Sequence, residues 1–466
     1  MRKRRKKAPA KARKAGRTNN YSMKAVGIDL GTTKVAVTVY DKNSGPVTAL
    51  NAPHHAALAN ENPAIREQDT EKIFACVLDL IGKIPETLRK EVSAIGITGQ
   101  MHSLLLTGSD GGYSPLVTWQ DHRCGGEMIS RFNRKGKVVL REGFGGTTLA
   151  RMAEEKTLSQ WKSALTISDA LNLLLRGGGK AVTDPTHAAS WGLYDMAGGN
   201  WNFNALEALD IPQEILPEIL PSGAVTGTVS KEFAARFSIP STAKVVNAIG
   251  DNQASILGTG KDFASEIYLT LGTGAQLSMV TEKKPENLPE NLEIRPFPAD
   301  RYLLVSAPLC GGAAFAWLAD TVNAFRTELG EEPVARGELL DKLDDAGFRF
   351  MQEHGESDIK IAPHFLGERH APELRAQISG VTLDNATPGA LASALALGII
   401  RNLKSGFPAE QLANRRKVIG SGNAVRLVKS ICLAIEREFA LPLELADGSE
   451  EAACGAAELA LESASV

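Results

Sequence analysis

Two turns in the chain carry the same three residues. Leu30-Gly31-Thr32 ends one apolar run, and Leu271-Gly272-Thr273 ends another in the second half of the sequence. Glycine beside threonine at a tight turn exposes backbone N–H groups and a hydroxyl, which together can cradle a phosphate without a helix N-terminus. One such turn alone reads as an ordinary hairpin tip, where Gly and Thr satisfy turn geometry. Two in matching contexts favour a paired anion site. Asp29 precedes the first turn, and a carboxylate beside bound phosphate could hold Mg²⁺ through water. A third glycine turn, Gly420-Ser421-Gly422, lies between a predicted strand and a predicted helix, where glycine permits close ligand approach and the helix start offers free N–H groups. No GxxxxGK[ST] motif is present, so this is not a P-loop protein.

A proton acceptor is available as well. Gly250-Asp251-Asn252-Gln253 joins a predicted strand to a predicted helix. Asp251 reads either as an N-cap or as a general base that takes a hydroxyl proton during attack on a γ-phosphate, and one residue can do both. In the N-terminal half, Gln100-Met101-His102 follows one strand, and Trp119, with Asp121 two residues later, follows another. Amide, imidazole and carboxylate groups with an apolar face suit a polyhydroxylated ligand. Taken singly, His102 also reads as a structural histidine and Trp119 as core.

The elements that must position these groups follow from hydrophobic periodicity. Residues 24–31 and 34–41 form a predicted hairpin around Gly31-Thr32-Thr33. A helical pattern spans 69–90, a buried strand 92–99, and short strands and turns 105–122. Residues 150–180 read as one helical stretch stopped by Gly177–Gly179, and 211–230 as strand and turn. A second cycle opens near 245 with a strand, a turn and a helix start over 244–258. A hairpin follows at 266–282, then helices at 311–326, 334–345 and 387–404. The end of the chain reads as strand, glycine turn and helix over 416–439, with a small-residue helix at 450–462. The repeated LGT turn thus marks a duplicated α/β domain with a cleft between its halves, divided at 23–246 and 247–466.

Composition bounds the rest. The 466 residues are 43% hydrophobic and 23% charged, ordinary for a globular protein and long enough for two to four domains. No segment approaches the roughly 20 continuous apolar residues of a membrane helix, and no apolar core follows the basic start as in a secretory leader. Cys76, Cys124, Cys310, Cys432 and Cys454 are scattered and never spaced as CxxC, which fits buried thiols in a reducing cytoplasm. Residues 1–17 carry ten basic residues and no acid, leaving an acidic body that does not read as a nucleic-acid-binding domain. The basic tail, 1–22, reads as a solvated extension, as an electrostatic contact for nucleic acid or an anionic surface, or as sequence upstream of a start at Met23.

VGIDLGTTK, GITGQMH, TWQDHR, GDNQ, LGTGAQ, GGAAFAWL, FLGERH and IGSG occur in the order found in the FGGY carbohydrate kinases, and the chain resembles that family over residues 24–462. Three stretches, 116–124, 184–195 and 364–372, are most similar to its sedoheptulokinases. The resemblance implies two ribonuclease-H-like, actin-like ATPase domains: an N-terminal sugar-binding domain and a C-terminal nucleotide-binding domain, with catalysis in the cleft. It implies an ATP- and Mg²⁺-dependent enzyme, monomeric or homodimeric, that phosphorylates a ketose at its terminal hydroxyl. The expected ketose is sedoheptulose, with a pentulose such as xylulose or ribulose as the alternative.

By the same resemblance, Asp251 matches the catalytic base and Asp29 the metal-associated aspartate, with Asp251 also facing the metal. Thr32, Thr33, Lys34, Gly272 and Thr273 match ATP phosphate contacts. Gly312, Gly420, Ser421 and Gly422 match the nucleotide-binding half. Gln100, Met101, His102, Trp119, Asp121 and Asn252 match the sugar pocket. Three positions depart from the pattern: His122 where glycine is common, His187 where asparagine is expected, and Val425-Arg426 after the last glycine turn. The first two bear on which sugar is bound, the third on the adenosine contacts. Two other classes compete: a catalytically silent sugar-binding protein of the same fold, and a nucleic-acid-associated protein acting through the tail.

Overall fold

The computed structural model describes residues 23–272, 274–446, 448 and 450–465. The basic tail and Thr273 lie outside the described residues. Strand Lys24–Leu30 is apolar on both faces because it runs through the middle of a sheet. It pairs antiparallel with Lys34–Asp41, from Lys24 opposite Asp41 to Leu30 opposite Val35, and parallel with Val92–Gly99. The full order is Val225–Thr228, Lys244–Val246, Val92–Gly99, Lys24–Leu30, Lys34–Asp41, Gly45–Pro53, with Ile249–Gly250 added beside the end of Val92–Gly99.

The second sheet repeats this plan. Glu266–Leu271 pairs antiparallel with Ala275–Thr281 and parallel with Lys417–Ser421, and the order runs Glu293–Phe297, Arg301–Ser306, Ala275–Thr281, Glu266–Leu271, Lys417–Ser421, Leu443–Leu445. In both sheets antiparallel strands precede two parallel ones, so Leu30-Gly31 and Leu271-Gly272 stand at equivalent hairpin tips. Each sheet has its own apolar core. A third core, around Leu104, Phe132, Trp191 and Trp201, supports an added layer of the N-terminal half. No helix among the described residues is long and apolar enough to cross a membrane. All five cysteines are unlinked; Cys310 and Cys454 are buried, and the other three partly so.

The continuous helix expected over 150–180 is not formed. The chain makes helix Gly145–Glu154, strand Trp161–Leu165 and helix Ile167–Leu175. The strand is drawn out by pairing with Leu105–Gly108. The second helix starts afresh at a capping box: Asp169 N–H donates to Thr166 Oγ1 at 3.1 Å, and Thr166 N–H donates back to Asp169 Oδ2 at 3.2 Å. Gly177, Gly178 and Gly179 end it, all at positive φ.

The last helix, Glu451–Ala464, packs on the first sheet. A Cβ at Gly27 would lie 1.8 Å from the Ala453 carbonyl oxygen, and one at Gly96 1.9 Å from that of Ala456. On its other side this helix meets helix Asp251–Thr259 equally closely, where a Cβ at Gly455 would lie 1.9 Å from the Ala254 carbonyl oxygen. Grouping residues 247–466 as one domain therefore follows chain order, whereas this helix is sandwiched between the first sheet and the helix that begins at Asp251.

Candidate active site

The glycine turns converge. Gly272 N–H donates to the Gly274 carbonyl at 3.0 Å, closing the second tip, and Gly312 N–H donates to the Gly272 carbonyl at 2.9 Å. Gly422, at φ 88°, approaches the same tip so closely that a Cβ there would lie 2.5 Å from the Leu271 carbonyl oxygen. Ser421 Oγ and Thr270 Oγ1 are 2.9 Å apart. The cleft beside these turns has a volume of about 750 Å³, and Asn252, Lys34, Glu450, Ser421, Gly422 and Arg426 are among the residues lining it. That size and the missing Cβ atoms suit a nucleotide. Arg426 donates to the Ala446 carbonyl at 2.7 Å and so fixes the far wall. Gly420 lies behind this surface, its carbonyl accepting from Ala446 N–H at 2.9 Å.

The first tip is braced from the N-terminal half. The Thr32 carbonyl accepts from Gln68 Nε2 at 2.7 Å and from His54 Nε2 at 3.1 Å. Trp119 Nε1 donates to Thr32 Oγ1 at 2.9 Å, so the indole, 43% exposed, covers the turn instead of joining the core. The Thr33 carbonyl accepts from His54 N–H at 3.3 Å. Lys34 is held by both oxygens of Glu450 at 2.6 and 2.8 Å.

Asp251 opens helix Asp251–Thr259, with Gly250 at the cap position and no side-chain cap. Asp251 is thus in the first turn, where the helix dipole favours its ionised form. Its Oδ1 accepts from Asn252 N–H at 2.7 Å. Burial nonetheless raises its pKa, against that hydrogen bond and the nearby charges of His187 and Arg295. Asp29 is raised as well, from 3.8 to about 7, first by burial and then by the charges of Asp251 and Glu450, with Lys34 opposing. Its Oδ1 is buried without a hydrogen-bond partner among the described residues. Two adjacent carboxylates, one with an orphaned oxygen, fit a divalent cation that keeps several waters.

This electrostatics gives a stability prediction. Without metal, the folded protein keeps a proton on Asp29 that the unfolded chain releases above its ordinary pKa. Stability from this group is full below pH ~4 and is lost as pH rises through about 7. Asp29→Asn is therefore expected to raise the Tm of the metal-free protein at pH 8 by about 3 °C or more, with little change at pH 4, while Mg²⁺-dependent turnover collapses. Thermal melts in chelator at the two pH values check this; an equal shift at both would contradict it.

Segment 184–195 holds His102 and its neighbours in place. His102 N–H donates to Ser190 Oγ at 3.0 Å, and His102 Nδ1 lies 2.7 Å from the Ser190 carbonyl. A carbonyl only accepts, so Nδ1 carries the proton and Nε2 is left as an acceptor. Trp191 Nε1 donates to the Ser103 carbonyl at 3.1 Å, and the His102 ring stacks on Phe144 at 4.6 Å. These contacts hold His102 at φ 69°. Burial and the Arg295 charge lower its pKa to about 3, so it stays neutral. Gln100 Oε1 and Asn252 Nδ2, an acceptor and a donor, are both buried without partners among the described residues. Met101 presses on Gly250, where a Cβ would lie 2.8 Å from its sulfur.

Asp121 departs from this picture. Its Oδ1 accepts from Arg123 N–H and Nε, and its Oδ2 from Arg66 N–H and Arg123 Nη2, filling the four lone-pair sites of a carboxylate. Asp121 fixes Arg123, which also bonds Glu67 at 2.7 Å, and offers no free oxygen to a ligand. His122 is exposed and pairs with Glu142 at 2.8 Å. His187 is buried beside Asp184, with Nδ1 3.4 Å from Oδ1. Burial opposes its protonation, but Asp184, Asp169 and Asp251 together raise its pKa. Its neighbour Thr186 accepts from Gly250 N–H at 2.8 Å, tying this cluster to the start of helix Asp251–Thr259.

The structure adds Gln276, whose Nε2 donates to Asn252 Oδ1, and Glu450, which also accepts from Asn51 Nδ2 at 2.8 Å. Gln276 was legible as the last residue of LGTGAQ. Glu450 had no signal beyond an acid before a small-residue helix.

Two copies of one sheet plan, meeting where the buried carboxylates lie, make this an actin-like ATPase fold. Among solved structures, the xylulose kinase from Rhodospirillum rubrum superposes with a TM-score of 0.80 at 20% identity, over 94% of this chain and 89% of that one. The N-terminal domain of the FGGY family of carbohydrate kinases matches residues 24–258. The chain belongs to that family, and is a phosphotransferase acting on a sugar hydroxyl. Human sedoheptulokinase is 29% identical over 93% of this chain and 96% of its own length, and the xylulose kinase of Escherichia coli strain K12 is 26% identical over 82% and 78%.

Proposed function

We propose that the chain transfers the γ-phosphoryl group of ATP to the terminal hydroxyl of a ketose, with sedoheptulose preferred and sedoheptulose 7-phosphate the product. The clamp of segment 184–195 on His102 carries the choice of sugar. It fixes His102, its segment 184–195 belongs to the likeness with sedoheptulokinases, and a relative of that name aligns over nearly the whole chain. In this reading Gln100, Met101, His102 and Asn252 bind the sugar, Trp119 roofs the first tip, and Asp121 positions the loop beneath it. The turns at Gly31–Thr33 and Gly272, with Lys34, Gly312, Ser421 and Gly422, bind ATP, and Gly420 shapes the strand end behind them.

Asp251 accepts the proton of the attacking hydroxyl. The charges of His187 and Arg295 favour its ionised state against burial. Turn amides face the charge that spreads over the transferring group. Asp29 and Asp251 would hold Mg²⁺, which supplies charge neutralisation to the phosphates. The unlinked thiols suit the reducing cytoplasm in which such an enzyme would work.

The test is ADP release with MgATP across sedoheptulose, xylulose, ribulose, fructose, glycerol and erythritol. The expected result is the highest kcat/KM with sedoheptulose, by about tenfold or more over any pentulose, since one well-placed hydrogen bond can provide that factor. A pentulose leading the series would move the substrate and keep the chemistry. No sugar-dependent release from protein that binds ATP would sink the kinase reading.

A further inference from the structure

Most of the sugar contacts assigned above come from the N-terminal half. Strand Glu293–Phe297 reaches the same place from the other half. The Pro296 carbonyl accepts from Gln253 Nε2 at 3.0 Å, two residues beyond the base, and helix Pro185–Ser190 packs on this strand. Arg295 is held there with its side chain 14% exposed. Its Nη2 and Nε donate to Glu293 Oε2 at 2.7 and 3.2 Å. The other oxygen of Glu293 accepts from Arg141 Nη1 at 3.2 Å, across from the N-terminal half. Arg141 in turn belongs to the turn that carries Phe144, on which His102 stacks.

Contacts therefore run from His102 through Phe144, Arg141, Glu293 and Arg295 back to helix Asp251–Thr259. Arg295 Nη1 has no hydrogen-bond partner among the described residues. The charge of Arg295 is felt at both His102 and Asp251, so the guanidinium lies within electrostatic reach of both. Arg141 and Arg295 share a single carboxylate, so donors outnumber acceptors on this side. His102 offers the reverse, a neutral acceptor, on the other.

We infer that Arg295 is a substrate-binding residue contributed by the C-terminal half, donating to one hydroxyl of the sugar while His102 accepts from another, so that a run of vicinal hydroxyls ties the two halves together. Glu293 and Arg141 are positioning residues that aim the guanidinium fork. The inference rests on the kinase reading above and names a determinant of its sugar specificity.

Steady-state kinetics of Arg295→Gln, with sugar and ATP varied in turn, test it. The KM for the sugar should rise about 10–100-fold, the range for losing a hydrogen bond from a charged group, with the KM for ATP and the Tm near wild type. Glu293→Gln should give the same pattern with a smaller rise. A sugar KM within twofold of wild type, or sugar and ATP KM values that rise together with a fall in Tm, would overturn the inference and leave Arg295 a brace for Glu293. If Arg295→Gln does not fold, Arg295→Lys keeps the charge and loses the fork, and the same split or its absence decides. A wild-type enzyme that releases no ADP with any sugar removes the kinase reading and this inference with it; an active wild type with an unchanged variant removes this inference alone.

Discussion

Asp251→Asn is expected to lower kcat by about 10³-fold while sugar and nucleotide still bind within a few-fold of wild type, the usual cost of losing a positioned general base. Asparagine keeps the size of the side chain and can still accept from Asn252 N–H, so the first helical turn should survive. What it loses is the ability to take a proton. Other groups proposed to bind stand apart: Gln100 and His102 follow strand Val92–Gly99, and Lys34, Ser421 and Gly422 line the large cleft. Single-turnover kinetics and calorimetric titration of each ligand separate the two effects. A kcat within tenfold of wild type would move the base elsewhere, and loss of sugar binding in step with kcat would make Asp251 a binding residue.

Gly455→Ala should destabilise the protein, reversing the ordinary sign. In an exposed helix this change gains about 1 kcal/mol. Here the added methyl would lie 1.9 Å from the Ala254 carbonyl oxygen and 2.7 Å from the Gly258 nitrogen, both backbone atoms of the base helix. Backbone cannot rotate away as a side chain can, so the helices must separate, at a cost of about 1–3 kcal/mol typical of overpacking. The Tm should fall by about 1–3 °C. Because the displaced helix carries Asp251, kcat should fall as well, even well below the new Tm. A Tm equal to or above wild type would show that the helices have room the structure denies them.

How far the sequence could be read depended on how local each cause was. The two hairpin tips were legible because Gly-Thr after an apolar strand dictates a turn on its own. Asp251 was legible because Gly-Asp between a strand and a helix can only sit where the two meet. Strand Trp161–Leu165 was not, since WKSAL has no alternation and becomes a strand only by pairing with residues more than fifty positions earlier. Asp121 lies where the WQDHR resemblance puts it, yet Arg123, two residues on, takes up its carboxylate. Arg295 stands alone in EIRPF with no motif around it. Gly27, Gly96 and Gly455 read as ordinary small residues, because a close approach between distant backbones leaves no periodic trace in either segment.

The laying of the last helix on the first strand also bears on how the enzyme is made. A ribosome delivers residues 24–99 early, but the face of their sheet shaped for Ala453 and Ala456 stays bare until residues 451–464 emerge. Helix Asp251–Thr259 waits for the same partner. Domains of large proteins generally fold during synthesis, N-terminal part first, yet here the first sheet and helix Asp251–Thr259 both lack this partner until residues 451–464 have emerged. A chain stopped between residues 251 and 450 would thus hold every residue of the first sheet and still present to other chains the small-residue face at Gly27 and Gly96.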